Sequence, residues 1–530
     1  MTTKPVISII KLLPVVIAAV ALLLTATAHA AAPGITGTTF NLTAQAAYIS
    51  QPDGSMVYSW GYGCTNTPSG GFVPPASLMP NANCPTMQVP GPTLIVTQGQ
   101  TVTVNLTNNL PAAAGNTSIL FPGFNVATGS SGVAGLLTRE AAPGSTVSYS
   151  FVASSPGTRA YYSGTQADLQ VEMGLYGAII VLPNTIPTNC TSGLAAKNLT
   201  AETHWGESNF RLAAAAYNHP QACYDREYLF QFSEMDPRIH RQAEEQVAAR
   251  STCVVGAAGC SLEVATEPYL PAYYMINGRS MPDDMDPNYA LEYPHQPYNG
   301  NPHMHPGEQV LLRIIGQGRW QHPFHEHGNH VRVLGRDGNL IVSQSDPANS
   351  LAGPLLFTTT TTPGQAMDGI FYWTGRGLNW DAYGHNAASS DPLAKLSCIP
   401  DANGYNTNAP TAINYFEWCQ DHNKPLQAAP FGDVAGLGPA TLPDANILTN
   451  GAWYGGSPYL GPDATVRASG PTGTTPPSGT IANSPTSEAG FAFMWHSHNE
   501  REITTNNIFP GGMMMMMLVD SREFVIDESN

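Results

Sequence analysis

Two stretches of the chain alternate apolar and polar residues with a period of two and are punctuated by Pro-Gly turns. In the first, Val89-Pro90-Gly91-Pro92-Thr93-Leu94-Ile95-Val96 leads into Gly99-Gln100-Thr101-Val102-Thr103-Val104-Asn105-Leu106. Thr146-Val147-Ser148-Tyr149-Ser150-Phe151 and Gly174-Leu175-Tyr176-Gly177-Ala178-Ile179-Ile180-Val181 follow in the same manner. The second stretch opens near Arg226-Glu227-Tyr228-Leu229-Phe230-Gln231-Phe232. It continues through Tyr273 to Gly278 and Pro306 to Ile315, and closes at Met513 to Val519. Such alternation marks half-buried strands, and regular spacing of strands and turns predicts β-sandwiches. We read residues 31–185 as a first sandwich, 186–225 as a linker and 226–530 as a second sandwich. Insertions are expected at about 236–265, where Ile239 to Ala249 suits a short helix, and at about 376–488, which is rich in Gly, Pro, Asn and Thr.

Composition sharpens this reading. Charged residues make up 11% of the 530, against about 25% in an average soluble protein. Gly (51) and Pro (45) are abundant, as befits a turn-rich β protein. The formal charge is −17. So acidic a chain is unsuited to nucleic acid, whose phosphates call for Lys and Arg, and suits a cation such as a metal ion.

Lys4 and Lys11, an apolar run from Leu12 to Leu24 and the small-x-small sequence Ala28-His29-Ala30 predict a secretory leader over residues 1–30. No later segment is long and apolar enough to be expected to span a membrane. The mature chain is therefore expected to be exported, to a periplasm or outside the cell. The eight cysteines fit that setting. They allow on the order of a hundred pairings, of which sequence neighbours are the simplest: 64–84, 190–223, 253–260 and 398–419.

Histidine is distributed unevenly. Of the 15, none lies between residues 31 and 203, and 11 lie from His295 onward. Two clusters stand out: His322-Pro323-Phe324-His325-Glu326-His327-Gly328 and Trp495-His496-Ser497-His498. On strands, His325 and His327 share a face, as do His496 and His498. Two such strands side by side would gather four imidazoles, a ligand set suited to copper or another divalent transition metal.

At these residues the chain resembles the multicopper oxidase family, built from cupredoxin domains. The family's motif His-Pro-x-His-x-His-Gly is matched by His322 to Gly328, and its motif Trp-His-Cys-His by Trp495 to His498 except at Ser497. The resemblance extends to Val89-Pro90-Gly91-Pro92-Thr93, Gly174-Leu175-Tyr176-Gly177 and Ile276-Asn277-Gly278. It implies an all-β fold of tandem cupredoxin-like Greek-key sandwiches with copper as cofactor, and makes His325, His327, His496 and His498 the surviving cluster ligands. Leu120 and Pro122, and then Tyr162 and Gly164, stand where the first domain's histidines are expected. Ser497 replaces the type-1 thiolate, and Glu502 stands where that site's second histidine is expected. Laccase-type reduction of dioxygen to water is therefore expected to be absent.

A mono- or dinuclear site on the four histidines remains, with a weaker one on His322 and Glu502 that would favour a harder divalent ion over Cu(I). Met513 to Met517 offers thioethers, soft ligands for Cu(I), with Met513, Met515 and Met517 on one face, where core packing is the expected role; His303-Met304-His305 suits a plain loop or a peripheral copper-capture site. Relatives with two such domains are often trimers, so a homo-oligomer or a partner protein stays open, as do an enzymatic role with a rebuilt site and a purely structural one.

Overall fold

The computed structural model describes residues 32–79, 81–191, 211–254, 257–376, 399–407, 490–520 and 524–526, single positions at 207, 417, 418 and 420, and the backbone of three short strands between 456 and 482. The expected leader, Cys398, Cys419 and most of 376–488 lie outside these residues. The fold is all-β, two tandem sandwiches, as the alternation predicts.

Side-chain alternation turns the four main sheets into a stack. The outer sheet of the first sandwich runs Met56–Cys64, Thr39–Ser50, Thr101–Asn108, Thr146–Val152. Its inner sheet includes Gly157–Tyr162, Tyr176–Leu182 and Leu94–Thr97. Between them lies a core of Leu42, Trp60, Val104, Tyr149, Leu94, Ile179 and Val181. The alternate residues of the inner strands, Ile95, Ala160, Ala178 and Ile180, point the other way and meet Leu229, Ile315 and Ala366 of the second sandwich. Alanines at this seam let two sheets approach closely. The second sandwich continues the stack. Phe230, Phe232, Leu312, Ile314 and Phe371 of its inner sheet pack against Phe324, Phe493, Trp495, Met515 and Met517 of its outer sheet. That outer sheet runs His303–Met304, Met514–Asp520, Gly490–Ser497, His322–Glu326, Thr358–Thr361.

A buried polar clamp crosses the seam. Asp368 accepts from the Thr158 amide at 3.0 Å and from its hydroxyl at 2.6 Å, and from the Tyr217 hydroxyl at 2.6 Å. Arg313 donates to Thr158 Oγ1 at 3.0 Å and pairs with Glu227 at 2.8 Å. Every charged member is at most 1% exposed, and low dielectric makes such a network costly to break in part.

The segment 186–225 is more than a connector. Cys190 is bonded to Cys223, and Ala216, Tyr217 and Tyr224 pack on Leu311, Leu334 and Ile370. The pairs 64–84 and 253–260 are also formed. The insertion at 236–265 carries a helix, Pro237–Ala249, started by Pro237 and capped by Asp236, whose carboxylate accepts the Arg238 amide. Its apolar residues Ile239 and Ala243 join the core of the first sandwich. Among the described residues, no helix is long and apolar enough to cross a membrane.

Arg313→Met should leave two buried carboxylates uncompensated and cost about 3–5 kcal/mol of stability, read from urea unfolding of the mature protein. A loss under about 1 kcal/mol would mean that the clamp adds nothing across the seam.

Candidate metal centre

The strands His322–Glu326 and Gly490–Ser497 pair antiparallel with His325 opposite His496. Directly opposed residues project to the same face, and Phe324, Phe493 and Trp495 occupy the core face. His325, His327, His496 and His498 therefore share the other face, turned away from the second sandwich's core and from the first sandwich beyond it. Ring centroids lie 4.9 Å apart for His325–His327, 5.0 Å for His325–His498 and 5.2 Å for His327–His496. The Nε2 atoms of His327 and His496 are 3.3 Å apart. Two ligands of one tetrahedral ion, each at about 2.0 Å, have about that spacing.

Local features fix the rings. Gly328, at φ +99°, turns the chain after His327, and a Cβ there would lie 3.1 Å from the Phe493 ring. Trp495 Nε1 donates to the His327 carbonyl at 2.9 Å. His325 Nδ1 lies 2.8 Å from Thr358 Oγ1, and His496 Nδ1 lies 2.7 Å from the Ser497 carbonyl. His325 and His496 are buried, at 1% and 5% exposure, while His498 is 53% exposed beside Glu500. Burial, reinforced by the three neighbouring imidazoles, pushes His325 down to about 4, and burial also lowers His496. At neutral pH both offer unprotonated nitrogen, the form that binds metal. Neutral, clustered imidazoles with a pair already at ligand spacing fit a copper ion.

The opposite face carries a different constellation. Both nitrogens of His322 meet carboxylates, Nδ1 to Glu502 Oε2 at 2.9 Å and Nε2 to Glu234 Oε2 at 2.9 Å. The Ser497 hydroxyl donates to the same Glu502 oxygen, and Asn499 Nδ2 donates to Glu502 Oε1 at 2.8 Å. Glu234 also accepts the amides of Arg319 and Trp320 at 2.6 and 2.9 Å. Although burial opposes its charge, hydrogen bonds to the two carboxylates carry His322 up to about 9. His322 and Glu502 thus come together as expected, and in the metal-free chain the two carboxylates favour a protonated ring between them. Glu502 is 1% exposed, not a surface carboxylate. Glu234 escaped the sequence reading; a glutamate within the apolar strand Arg226–Met235 was the available signal.

His303 and His305 are fully buried. His303 Nδ1 lies 2.8 Å from Asp520 and His305 Nε2 lies 2.8 Å from Glu207. Glu207, His305 and Glu308 are, among the described residues, the group whose three ligand-type atoms lie within 4.8 Å of one another. Arg226 pairs with both glutamates, so a cation already fills that cluster. In the first sandwich, Leu120 and Tyr162 bridge through reciprocal backbone hydrogen bonds of 2.8 and 3.3 Å. Around them Ser118, Thr165 and Glu140, and Thr117, Ser163 and Gln170, bond to one another at 2.7–2.9 Å. The pairing of the metal-site strands has a counterpart there, with hydroxyls and apolar groups for imidazoles.

Residues 84–185, within that first sandwich, match the multicopper oxidase family model. The multicopper oxidase MCE of Talaromyces pinophilus is 33% identical over 124 residues, covering 22% of this chain and 20% of that protein; the match therefore spans about a fifth of the relative's length. Among solved structures, the multicopper oxidase mgLAC aligns with a TM-score of 0.43 at 15% identity, over 91% of this chain and 86% of the other. The blue copper oxidase from Nitrosomonas europaea aligns with 0.42 at 15% identity, over 91% and 85%.

The His322 triad generates a pH prediction for the metal-free protein. Its pKa is raised on folding, so its stabilisation is complete below about pH 6.5 and is lost as pH rises through about 9, a change of about 3 kcal/mol. Denaturant unfolding of the native chain should weaken over that window relative to His322→Gln. Parallel pH profiles for the two proteins would rule the buried imidazolium out.

Proposed function

Starting from a chain that belongs to the multicopper oxidase family, we propose that it is an exported copper-binding member that holds copper on His325, His327, His496 and His498 and does not reduce dioxygen to water in the laccase manner. The observation that carries this reading is the gathering of four imidazoles on one sheet face, with the His327 and His496 Nε2 atoms 3.3 Å apart, while a hydroxyl, Ser497, sits on the other face where a thiolate would be needed. A serine hydroxyl cannot supply the strong copper–thiolate bond of a blue site. Leu120 and Tyr162 bring no imidazole, so the first sandwich supplies no second half of the cluster among the described residues.

The chain's own groups have definite tasks in this reading. Thr358 Oγ1 lies 2.8 Å from His325 Nδ1 and orients that ring. Burial keeps His325 and His496 unprotonated. His498, half in solvent, forms the accessible side. Copper bound there would supply a Lewis-acidic, redox-active centre with open positions. That accessible side favours a second reading, a copper-dependent oxidoreductase working by direct substrate coordination. It also favours completion of the site by another copy or a partner protein, since the imidazole face points out of the stack. The leader-like N-terminus and the disulfides support a periplasmic or extracellular location.

Loading the mature protein with Cu(II) should give about one or two coppers per chain with a normal, non-blue EPR and visible spectrum. His496→Ala should lose most of that copper without unfolding. Absence of bound copper would leave a structural or interaction role, and an intense blue band would overturn the account of Ser497. Copper-dependent oxygen uptake that disappears in His496→Ala would select the oxidoreductase reading; a flat trace across phenols and reduced metal ions would reject it.

A further inference from the structure

The run Met513 to Met517 divides between two faces. Met513, Met515 and Met517 are each 0% exposed and belong to the core between the sheets of the second sandwich. Met514 and Met516 point to the opposite face, the one that bears the imidazoles. The register places Met514 directly opposite His496, and Met516 directly opposite Met494. Met494, Met514 and Met516 thus form a contiguous thioether patch with His496 at its corner. Directly opposed Cβ atoms in such pairs lie about 5 Å apart.

These side chains lie outside the core between the two sheets. The three odd-numbered methionines sit among Phe324, Phe371 and Trp495, whereas Met494, Met514 and Met516 join none of the apolar clusters of the described residues. Met494 and Met516 are half-buried and Met514 is 5% exposed. Thioethers are soft donors that select Cu(I) over Cu(II), Zn or hard cations. Methionine's three rotors allow neighbouring sulfurs to turn toward one point.

We propose that Met494, Met514 and Met516 form a second copper site, selective for Cu(I) and continuous with the imidazole site through His496. The inference rests on the copper-binding reading for the identity of the metal, but it concerns different donor atoms and a different oxidation state. It makes the face a graded surface, with sulfur at one end for reduced copper and nitrogen at the other for oxidised copper.

The test is an anaerobic Cu(I) titration of the mature protein in competition with a chromogenic Cu(I) chelator, with X-ray absorption of the loaded protein. The native chain should bind Cu(I) with sulfur scattering. The triple variant Met494→Leu, Met514→Leu, Met516→Leu, close to volume-conserving, should bind Cu(I) at least about tenfold more weakly and lose the sulfur signal, while its Cu(II) EPR spectrum stays unchanged. His496→Ala should do the reverse, disturbing Cu(II) and keeping sulfur-bound Cu(I). Should the triple variant fold poorly, Met516→Leu alone, at the half-buried position, gives the same readout in reduced amplitude. Nitrogen-only scattering, an unchanged Cu(I) affinity in the variants, or no Cu(I) bound by the native chain would each overturn the proposal. Sulfur-bound Cu(I) without any Cu(II) binding would instead sink the imidazole reading and leave this site standing.

Discussion

The register between His322–Glu326 and Gly490–Ser497 governs the chemistry of this molecule. With His325 opposite His496, alternation sends imidazoles to one face and His322, Phe324, Trp495 and Ser497 to the other. A slip of one residue would exchange the two sets, placing imidazoles in an aromatic core and Phe and Trp in solvent. The apolar cost of that exchange is what fixes the register. The core of Phe324, Phe493 and Trp495 is thus a positioning device for the histidines behind it.

The two faces have taken different courses. On one, four imidazoles share a face, and burial lowers the basicity of His325 and His496. On the other, a proton on His322 sits between Glu234 and Glu502, and Ser497 completes the hydrogen bonding of Glu502. The raised basicity of His322 favours a cation at this buried position. One imidazolium there faces two carboxylates, and hydrogen bonds from Ser497, Asn499 and the amides of Arg319 and Trp320 stabilise the remaining negative charge. The first sandwich has no imidazole at the counterpart place. Thr117, Ser163 and Gln170, and Ser118, Thr165 and Glu140, hydrogen-bond one another there, although the family match falls on this very domain.

Much of this was legible in the sequence because it follows from alternation. Strand-forming runs such as Thr101 to Leu106, the shared face of His325 and His327, and the division of Met513 to Met517 are period-two facts. Neighbour pairing of cysteines held for the three pairs within the described residues. What could not be read depends on contacts between distant elements. Glu234 approaches His322 only because the strands Arg226–Met235 and His322–Glu326 face each other across a sandwich. The burial of Glu502, which its exposed-looking neighbour Arg501 conceals, has the same origin. The His303-Met304-His305 segment looked like loop or surface and is buried, because its partners Glu207 and Asp520 lie far away in sequence. The segment 186–225 read as linker from its polarity, whereas the Cys190–Cys223 bond and Tyr217 fold part of it onto the second sandwich.

The helix Pro237–Ala249 emerges from a strand of the second sandwich, yet places Ile239 and Ala243 in the hydrophobic interior of the first, and His240 Nδ1 lies 2.6 Å from the Tyr58 carbonyl. The first sandwich therefore keeps part of its interior on the second's chain segment. Cutting the polypeptide between the sandwiches would strip the first of apolar residues and leave the second with a helix that has nothing to cover. Two sandwiches of this kind are normally exchangeable parts, free to be duplicated, lost or recombined over evolutionary time. Here the helix locks them into one inheritable unit, so that neither half can be exchanged without the other.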